Sequence, residues 1–211
     1  MDLFLIDHYD SFTHNVIDWL ACDDGLLNIH CVAWDDASGL QAATQSLAPL
    51  VISPGPKSPR EVPETLALVR QKLGVVPILG ICLGHQILAA VGGAAIIRGL
   101  MPQHGTARRI LVHPQEPGLL TGLAPAFTAG VYNSLVVDPT ALAEGWIINA
   151  RCDLGEVQAM SYTAAAPAYG LQFHPESFLS EGAGIIRANW IASVQAWQAN
   201  SGAAKGSAVG G

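Results

Sequence analysis

The sequence predicts an α/β protein: an open, mostly parallel sheet flanked by helices, with an antiparallel or mixed β extension in the second half. Three observations predict it. Short apolar runs alternate with amphipathic segments as far as Val91, the order of a parallel sheet with helices on both faces. The composition is 50% hydrophobic and only 13% charged, against about 25% charged in ordinary globular chains; strands buried on both faces explain much of that excess. From Ala94 onward, turn residues recur and strand-like runs follow one another without helices between them.

Each element has its own signal. Residues 3–6 form an apolar run ending at Asp7, the pattern of a buried parallel strand. Residues 13–21 carry Val16, Ile17 and Leu20 at helical spacing, with Ser11 or Thr13 as N-cap. Residues 28–34 read as the next strand and 40–47 as a short helix. The strand at 50–53 is stopped by Pro54-Gly55-Pro56. Residues 61–73 are amphipathic, with Leu66, Val69 and Leu73 on one face; 75–81 are a strand and 84–91 a helix. Turns then fall at Gly99, Gly105, Gly118, Gly122, Asp138-Pro139 and Gly155, between strands at 107–112, 135–137, 146–150, 157–162 and 169–173. A last helix covers about 182–198. One domain, residues 1–198, is therefore expected, followed by an aperiodic Gly/Ala/Ser tail, 199–211, expected to be flexible.

Composition excludes several classes. High hydrophobicity excludes intrinsic disorder. A net charge of −7 leaves no basic surplus to neutralise phosphates, so no nucleic-acid partner is expected. The mean hydropathy is +0.34, but no apolar run reaches the roughly 18 residues of a membrane span; Gly92-Gly93 splits the nearest one, 87–97. The N-terminus has neither a basic region nor a small-residue cleavage site, so no signal peptide and a cytoplasmic location are expected. Cys22, Cys31, Cys82 and Cys152 are scattered, with no metal-ligand spacing, so neither a disulfide framework nor a metal is expected. His8, His14, His30 and His113 read as surface or packing residues, and the five tryptophans as core. Asp2, Asp7, Asp10, Asp18, Asp23, Asp24, Asp35 and Asp36 precede the first basic residue, Lys57, and read as a solvated face with loop and cap acids.

Three segments carry chemistry. Gly80-Ile81-Cys82-Leu83-Gly84 has the G-x-C-x-G pattern, the thiol form of the nucleophile elbow, at a strand-to-helix turn. Its glycines suit a tight turn, and the N-terminus of the following helix favours thiolate over thiol; cysteines so placed can titrate at roughly 3.5–7.5. Alone, Cys82 could equally be a structural thiol in a glycine-rich turn. In Gln172-Phe173-His174-Pro175-Glu176-Ser177, Pro175 keeps His174 extended. Residues i and i+2 then point the same way, as a base and its orienting carboxylate must. In Ser53-Pro54-Gly55-Pro56-Lys57, the Gly55 N–H stays approachable and could join that of Leu83 in an oxyanion hole. All three segments follow predicted strands, where open α/β sheets place their sites.

Together, Gly80 to Gln86, His174-Pro175-Glu176 and Ser53 to Pro56 resemble the class I (triad) glutamine amidotransferases, whose fold is flavodoxin-like. The opening Asp7-His8-Tyr9-Asp10-Ser11-Phe12-Thr13-His14-Asn15 and Tyr132 to Val137 resemble the small subunits of anthranilate and aminodeoxychorismate synthases. The resemblance spans residues 1–198. It implies Cys82 as nucleophile, His174 as base and Glu176 as its orienter, with Gly55 and Leu83 as the oxyanion hole. It implies a glutamine pocket formed by Gly55, Pro56, Lys57, Gln86, Ser134 and Leu135, and no cofactor. It also implies a partner: a larger chorismate-binding synthase subunit, in a heterodimer or heterotetramer, receiving ammonia. The Asp10-Ser11-Phe12 loop would lie near that subunit. Lys57 stands where the family usually has glycine, which is tolerable provided its φ is not positive. Gln103-His104-Gly105-Thr106 replaces Met-His-Gly-Lys, and Asn133 replaces histidine; both bear on partner and coupling. The alternatives are an amidotransferase subunit for another acceptor, as in GMP or carbamoyl-phosphate synthesis, and a non-catalytic regulatory subunit on the same fold.

Overall fold

The computed structural model of the protein describes residues 1–21, 25, 27–101 and 105–206. Cys22, Asp23, Asp24, Gln103, His104 and residues 207–211 lie outside the described residues. The elements in chain order are β1 (Asp2–Asp7), α1 (Thr13–Ala21), β2 (Asn28–Ala33), α2 (Ala37–Gln45), β3 (Leu50–Ile52), α3 (Pro63–Lys72), β4 (Ile78–Ile81) and α4 (Leu83–Val91). They continue as β5 (Ala95–Arg98), β6 (Thr106–Val112), β7 (Ala126–Val131), β8 (Leu135–Asp138), β9 (Trp146–Cys152), β10 (Val157–Tyr162), β11 (Ala168–Leu171) and α5 (Ala183–Gly206).

The nine-stranded main sheet runs β2-β1-β3-β4-β11-β10-β9-β6-β7, and β5 pairs with β8 in a separate ribbon. From β2 through β11 the pairings are parallel; from β11 to β7 they are antiparallel. The mixed architecture is the one the sequence predicts. Its decisive feature is β11. This last strand inserts beside β4 in register, Leu171 opposite Ile81, so the residues after Leu171 emerge next to those after Ile81.

Alternation along the strands divides the core between the two faces. Leu3, Leu5, Val51, Leu79 and Ile81 point toward α1 and α5, packing with Val16, Leu20, Ile186 and Trp190. Ile6, Leu50, Ile52 and Ile78 point the other way, onto Leu40, Leu68, Val69, Ile87 and Leu88 of α2, α3 and α4. Each such side chain withdrawn from water contributes about 1.5–3 kcal/mol. No helix among the described residues is long and apolar enough to cross a membrane.

Several local expectations are corrected. The amphipathic segment 61–73 is not one helix: a 3-10 turn, Pro59–Glu61, precedes α3, and Val62 between them has φ −130° and ψ 59°. Pro63 disfavours the helical conformation for the residue before it. The face α3 buries is Thr65, Leu68, Val69 and Lys72, with Leu66 and Leu73 only partly covered. Neither Ser11 nor Thr13 caps α1 with a hydroxyl; Thr13 Oγ1 donates to Asp7, and Asp10 Oδ1 accepts from the Phe12 N–H. Strands β5 and β7 carry no clear sequence signal, one being short and largely exposed and the other half small residues. Helix α5 continues past Gln198 to Gly206. The four histidines read as surface or packing residues divide between the two: His8 is fully buried, and His14, His30 and His113 are exposed. Asp36 caps α2 through the Ser38 N–H.

Candidate active site

Cys82 sits between β4 and α4 with φ 53° and ψ −100°. Positive φ costs a non-glycine residue of the order of 1–3 kcal/mol and persists only where the surroundings enforce it. Here the Cys82 N–H is held by the Leu171 carbonyl at 2.8 Å, and both flanking glycines are sterically required. A Cβ on Gly80 would fall 2.4 Å from the Gly84 carbonyl, and one on Gly84 would fall 2.3 Å from the Ile52 carbonyl oxygen. The G-x-C-x-G spacing is thus the condition for this turn. The sulfur lies at the first turn of α4, whose leading N–H groups have no partner within the helix.

The strand end after β11 brings His174 to the elbow. Its N–H donates to Gly130 O at 2.9 Å, and its Nδ1 lies 2.7 Å from Glu176 Oε1. The two side chains are 2% and 0% exposed, so little solvent weakens the pair. The rings of Phe12 and Tyr132 pack against the imidazole, with centroids 5.2 and 4.8 Å away. Burial alone would lower the His174 pKa, but the neighbouring Cys82 and Glu176 outweigh it and raise it well above the ordinary histidine value. Spacing in the sequence identifies His174 and Glu176 as neighbours. It does not identify the aromatic bracket, because Phe12 and Tyr132 come from remote segments with no shared pattern.

All six predicted pocket residues, Gly55, Pro56, Lys57, Gln86, Ser134 and Leu135, line one cavity of about 200 Å³ together with Cys82 and Leu83. Its size suits a ligand no larger than an amino acid. Glu61, Ser58, Tyr132 and Asn133 also line it. Glu61 escapes a reading of the sequence because it looks like the start of a helix; its carboxylate instead accepts from the Ser58 N–H and hydroxyl, shaping the loop. Gln86 is 3% exposed, and its Nε2 donates to Leu135 O at 3.0 Å and to Gln172 Oε1 at 3.1 Å. Lys57 does not have positive φ, and its ammonium lies 4.6 Å from the centre of the Trp34 ring. The departure from glycine therefore leaves the loop backbone unstrained. A larger cavity, about 670 Å³, opens elsewhere among Leu111, Trp146, Ile148 and Arg151 and contains none of these groups; chemistry, not size, selects the site.

Beneath the Gly55 loop lies His8. Its Nδ1 is 3.2 Å from Ser53 Oγ and its Nε2 3.1 Å from Thr65 Oγ1. A Cβ on Gly55 would come within 2.6 Å of the His8 Cβ and 2.7 Å of a Leu83 methyl. Burial holds the His8 pKa down to about 4, so the ring is neutral near pH 7. His85 is fully buried as well and held down to about 4 by burial, with only weak opposition from the Gly170 backbone. Among the described residues, no group of His, Cys, Asp and Glu is placed to hold a metal ion.

A strained cysteine elbow facing a buried histidine–carboxylate pair, at the carboxyl end of a parallel sheet, has the layout of an acyl-transfer enzyme using a thiol. The class I glutamine amidotransferase family model matches residues 4–192, and the chain belongs to that family. Aminodeoxychorismate synthase component 2 of Klebsiella aerogenes is 40% identical over 191 residues, covering 90% of this chain and 98% of that protein. Anthranilate synthase component 2 of Mycobacterium tuberculosis is 34% identical over 196 residues, covering 90% and 82%. A putative GMP synthase protein of Thermoplasma acidophilum superposes with a TM-score of 0.79 over 95% of this chain and 97% of that one. At 23% identity, that likeness bears on the fold alone.

Proposed function

We propose that this amidotransferase is the glutaminase subunit of a chorismate-using synthase and that it works in the cytoplasm. Cys82 attacks the side-chain amide of L-glutamine, His174 receives the thiol proton, and Glu176 holds the imidazole in one tautomer and stabilises its protonated form. The N–H groups of Gly55 and Leu83 stabilise the tetrahedral oxyanion. Collapse breaks the C–N bond; the His174 proton passes to the departing ammonia and a γ-glutamyl thioester remains. Water, deprotonated by His174, then attacks the thioester, the C–S bond breaks, and glutamate leaves. Gln86, Pro56, Lys57, Ser134 and Leu135 hold the amino-acid end. The ammonia passes to a larger chorismate-binding subunit.

The observation that carries this reading is the His174–Glu176 pair at 2.7 Å, raised in proton affinity by Cys82 beside it. The chorismate branch rests on the 40% and 34% identities to the two synthase components. The test is co-purification with the native large subunit, followed by identification of the product made from chorismate and glutamine. We expect anthranilate or aminodeoxychorismate. Cys82→Ser should abolish glutamine-dependent product and leave ammonia-dependent product intact. Glutamine-dependent synthesis surviving in Cys82→Ser would overturn the mechanism.

A further inference from the structure

We propose that Gln172 is a further catalytic residue, donating a hydrogen bond from Nε2 to Cys82 Sγ as the sulfur takes on negative charge before attack and when it leaves the thioester. The inference rests on the reading of Cys82 as the nucleophile. Gln172 Nε2 lies 3.7 Å from Cys82 Sγ, an ordinary length for an N–H···S bond because sulfur is large. The residue follows β11, two positions before His174. Gln172 and His174 both act on Cys82.

The polarity of the contact follows from a backbone group that cannot be reversed. Leu135 O accepts only, so the group of Gln86 3.0 Å from it is the NH2. That same NH2 lies 3.1 Å from the Gln172 amide and requires an acceptor there, Oε1. The NH2 of Gln172 is then left facing the sulfur. The orientation of each amide is thus set by its neighbour, starting from Leu135.

A packing role does not account for this side chain. Gln172 is 0% exposed, between the fully buried Phe173 and Leu171 at 1%. An apolar side chain would fill such a place without the cost of desolvating an amide. The amide's donor end makes sense against a sulfur that becomes anionic. When the thiol proton moves to His174, Sγ gains negative charge, and the preoriented N–H meets it without reorganisation. When Sγ bonds to carbon in the tetrahedral intermediate and the thioester, the contact weakens; when the C–S bond breaks, the donor again meets the thiolate. Gln86 lines the substrate cavity, so an occupant of that cavity is one hydrogen bond away from Gln172.

The test uses Gln172→Met, close to isosteric but without a donor, and Gln172→Glu, which sets an anion against the sulfur. Both are made in the complex with the large subunit. Glutamine-dependent kcat should fall about 10- to 100-fold in the Met variant and further in the Glu variant, with KM for glutamine changed less than about threefold. The pH midpoint of Cys82 alkylation by iodoacetamide should move upward in both, by more in Glu. Ammonia-dependent synthesis, which bypasses the site, should be unchanged and certifies folding and assembly. Should Gln172→Met fail that control, Gln172→Asn, which keeps a shortened donor, is compared with Gln172→Glu by the same readouts. A kcat within twofold of wild type with an unmoved alkylation profile overturns the inference while Cys82→Ser remains inactive. Survival of glutamine-dependent activity in Cys82→Ser would instead overturn the nucleophile reading beneath it.

Discussion

The parallel half of the sheet and its antiparallel extension hold their shape in different ways. In β3 and β4 every residue is buried, because helices cover both faces, and β1 buries Leu3, Leu5 and Ile6 between them. In β6 the pattern alternates, exposed and buried, because one face meets solvent. The parallel half supplies the elbow, the Gly55 loop and, through β11, His174 and Glu176. The extension and the neighbouring β5–β8 ribbon supply Tyr132, Asn133, Ser134 and Leu135, which line the cavity with them. Cys82 stands where backbone is locked by backbone; Tyr132, Asn133 and Ser134 stand on the turn between β7 and β8. Glycine shows the contrast most directly.

Gly84 is hemmed in by backbone, its Cβ position 2.3 Å from Ile52 O. Gly155, in the extension, has φ +80° and nothing within 4 Å of its Cβ position. Gly84→Ala should therefore displace β3 or α4, destabilise by more than about 3 kcal/mol and abolish glutamine turnover. Gly155→Ala should cost only the left-handed backbone penalty, about 1–2 kcal/mol, with turnover unchanged. Urea unfolding and glutaminase assays of the two variants check this; equal losses would show that the halves are not built differently.

Within the parallel half, Glu176→Gln separates charge from shape. The amide keeps a partner for His174 Nδ1 but removes the negative charge that helps raise its proton affinity. We expect kcat to fall by about 10²–10⁴ with KM nearly constant. The pH at which His174 loses its proton should drop. Stopped-flow kcat against pH reads both, and an unchanged profile would assign Glu176 to packing alone.

Legibility follows the same division. The nucleophile elbow is readable because steric necessity writes itself as glycines at set spacing; His174 and Glu176 are neighbours as read but for another reason, since the Ser177 N–H donates to His174 O and Pro175-Glu176 form a turn instead of extended chain. The mixed sheet is readable from alternation, but not the insertion of β11 between β4 and β10. That insertion depends on register with β4, which no local pattern encodes. For the same reason the sequence does not reveal Phe12, Tyr132 and Gln172 around Cys82 and His174: they converge only after the sheet closes. His8 reads as a surface or packing residue, since a polar residue after an apolar strand looks solvated; Ser53 and Thr65, its partners, lie 45 and 57 residues away.

His8 gives the smallest and most diagnostic test of the locked half. Its pKa is about 4 in the folded protein against an ordinary 6.5, as is that of His85. Between these values the unfolded chain binds protons that the folded chain refuses, so unfolding free energy rises with pH there. Each of the two histidines contributes a slope of about 1.4 kcal/mol per pH unit in that window. His174 works in the opposite sense. Its raised value stabilises the protonated form, so its contribution is complete below pH 6.5 and disappears as pH rises through the raised value. Among these three histidines, acid sensitivity thus belongs to His8 and His85. In His8→Asn the shorter amide cannot span Ser53 and Thr65, and the variant should be about 1 kcal/mol less stable at pH 7.5. Since Asn does not titrate, that deficit should shrink by about 2 kcal/mol, and so reverse, at pH 5. Carboxylates titrating over the same range cancel in the difference between variant and wild type. Urea unfolding at the two pH values measures it; a deficit independent of pH would mean that His8 is not held neutral beneath the Gly55 loop.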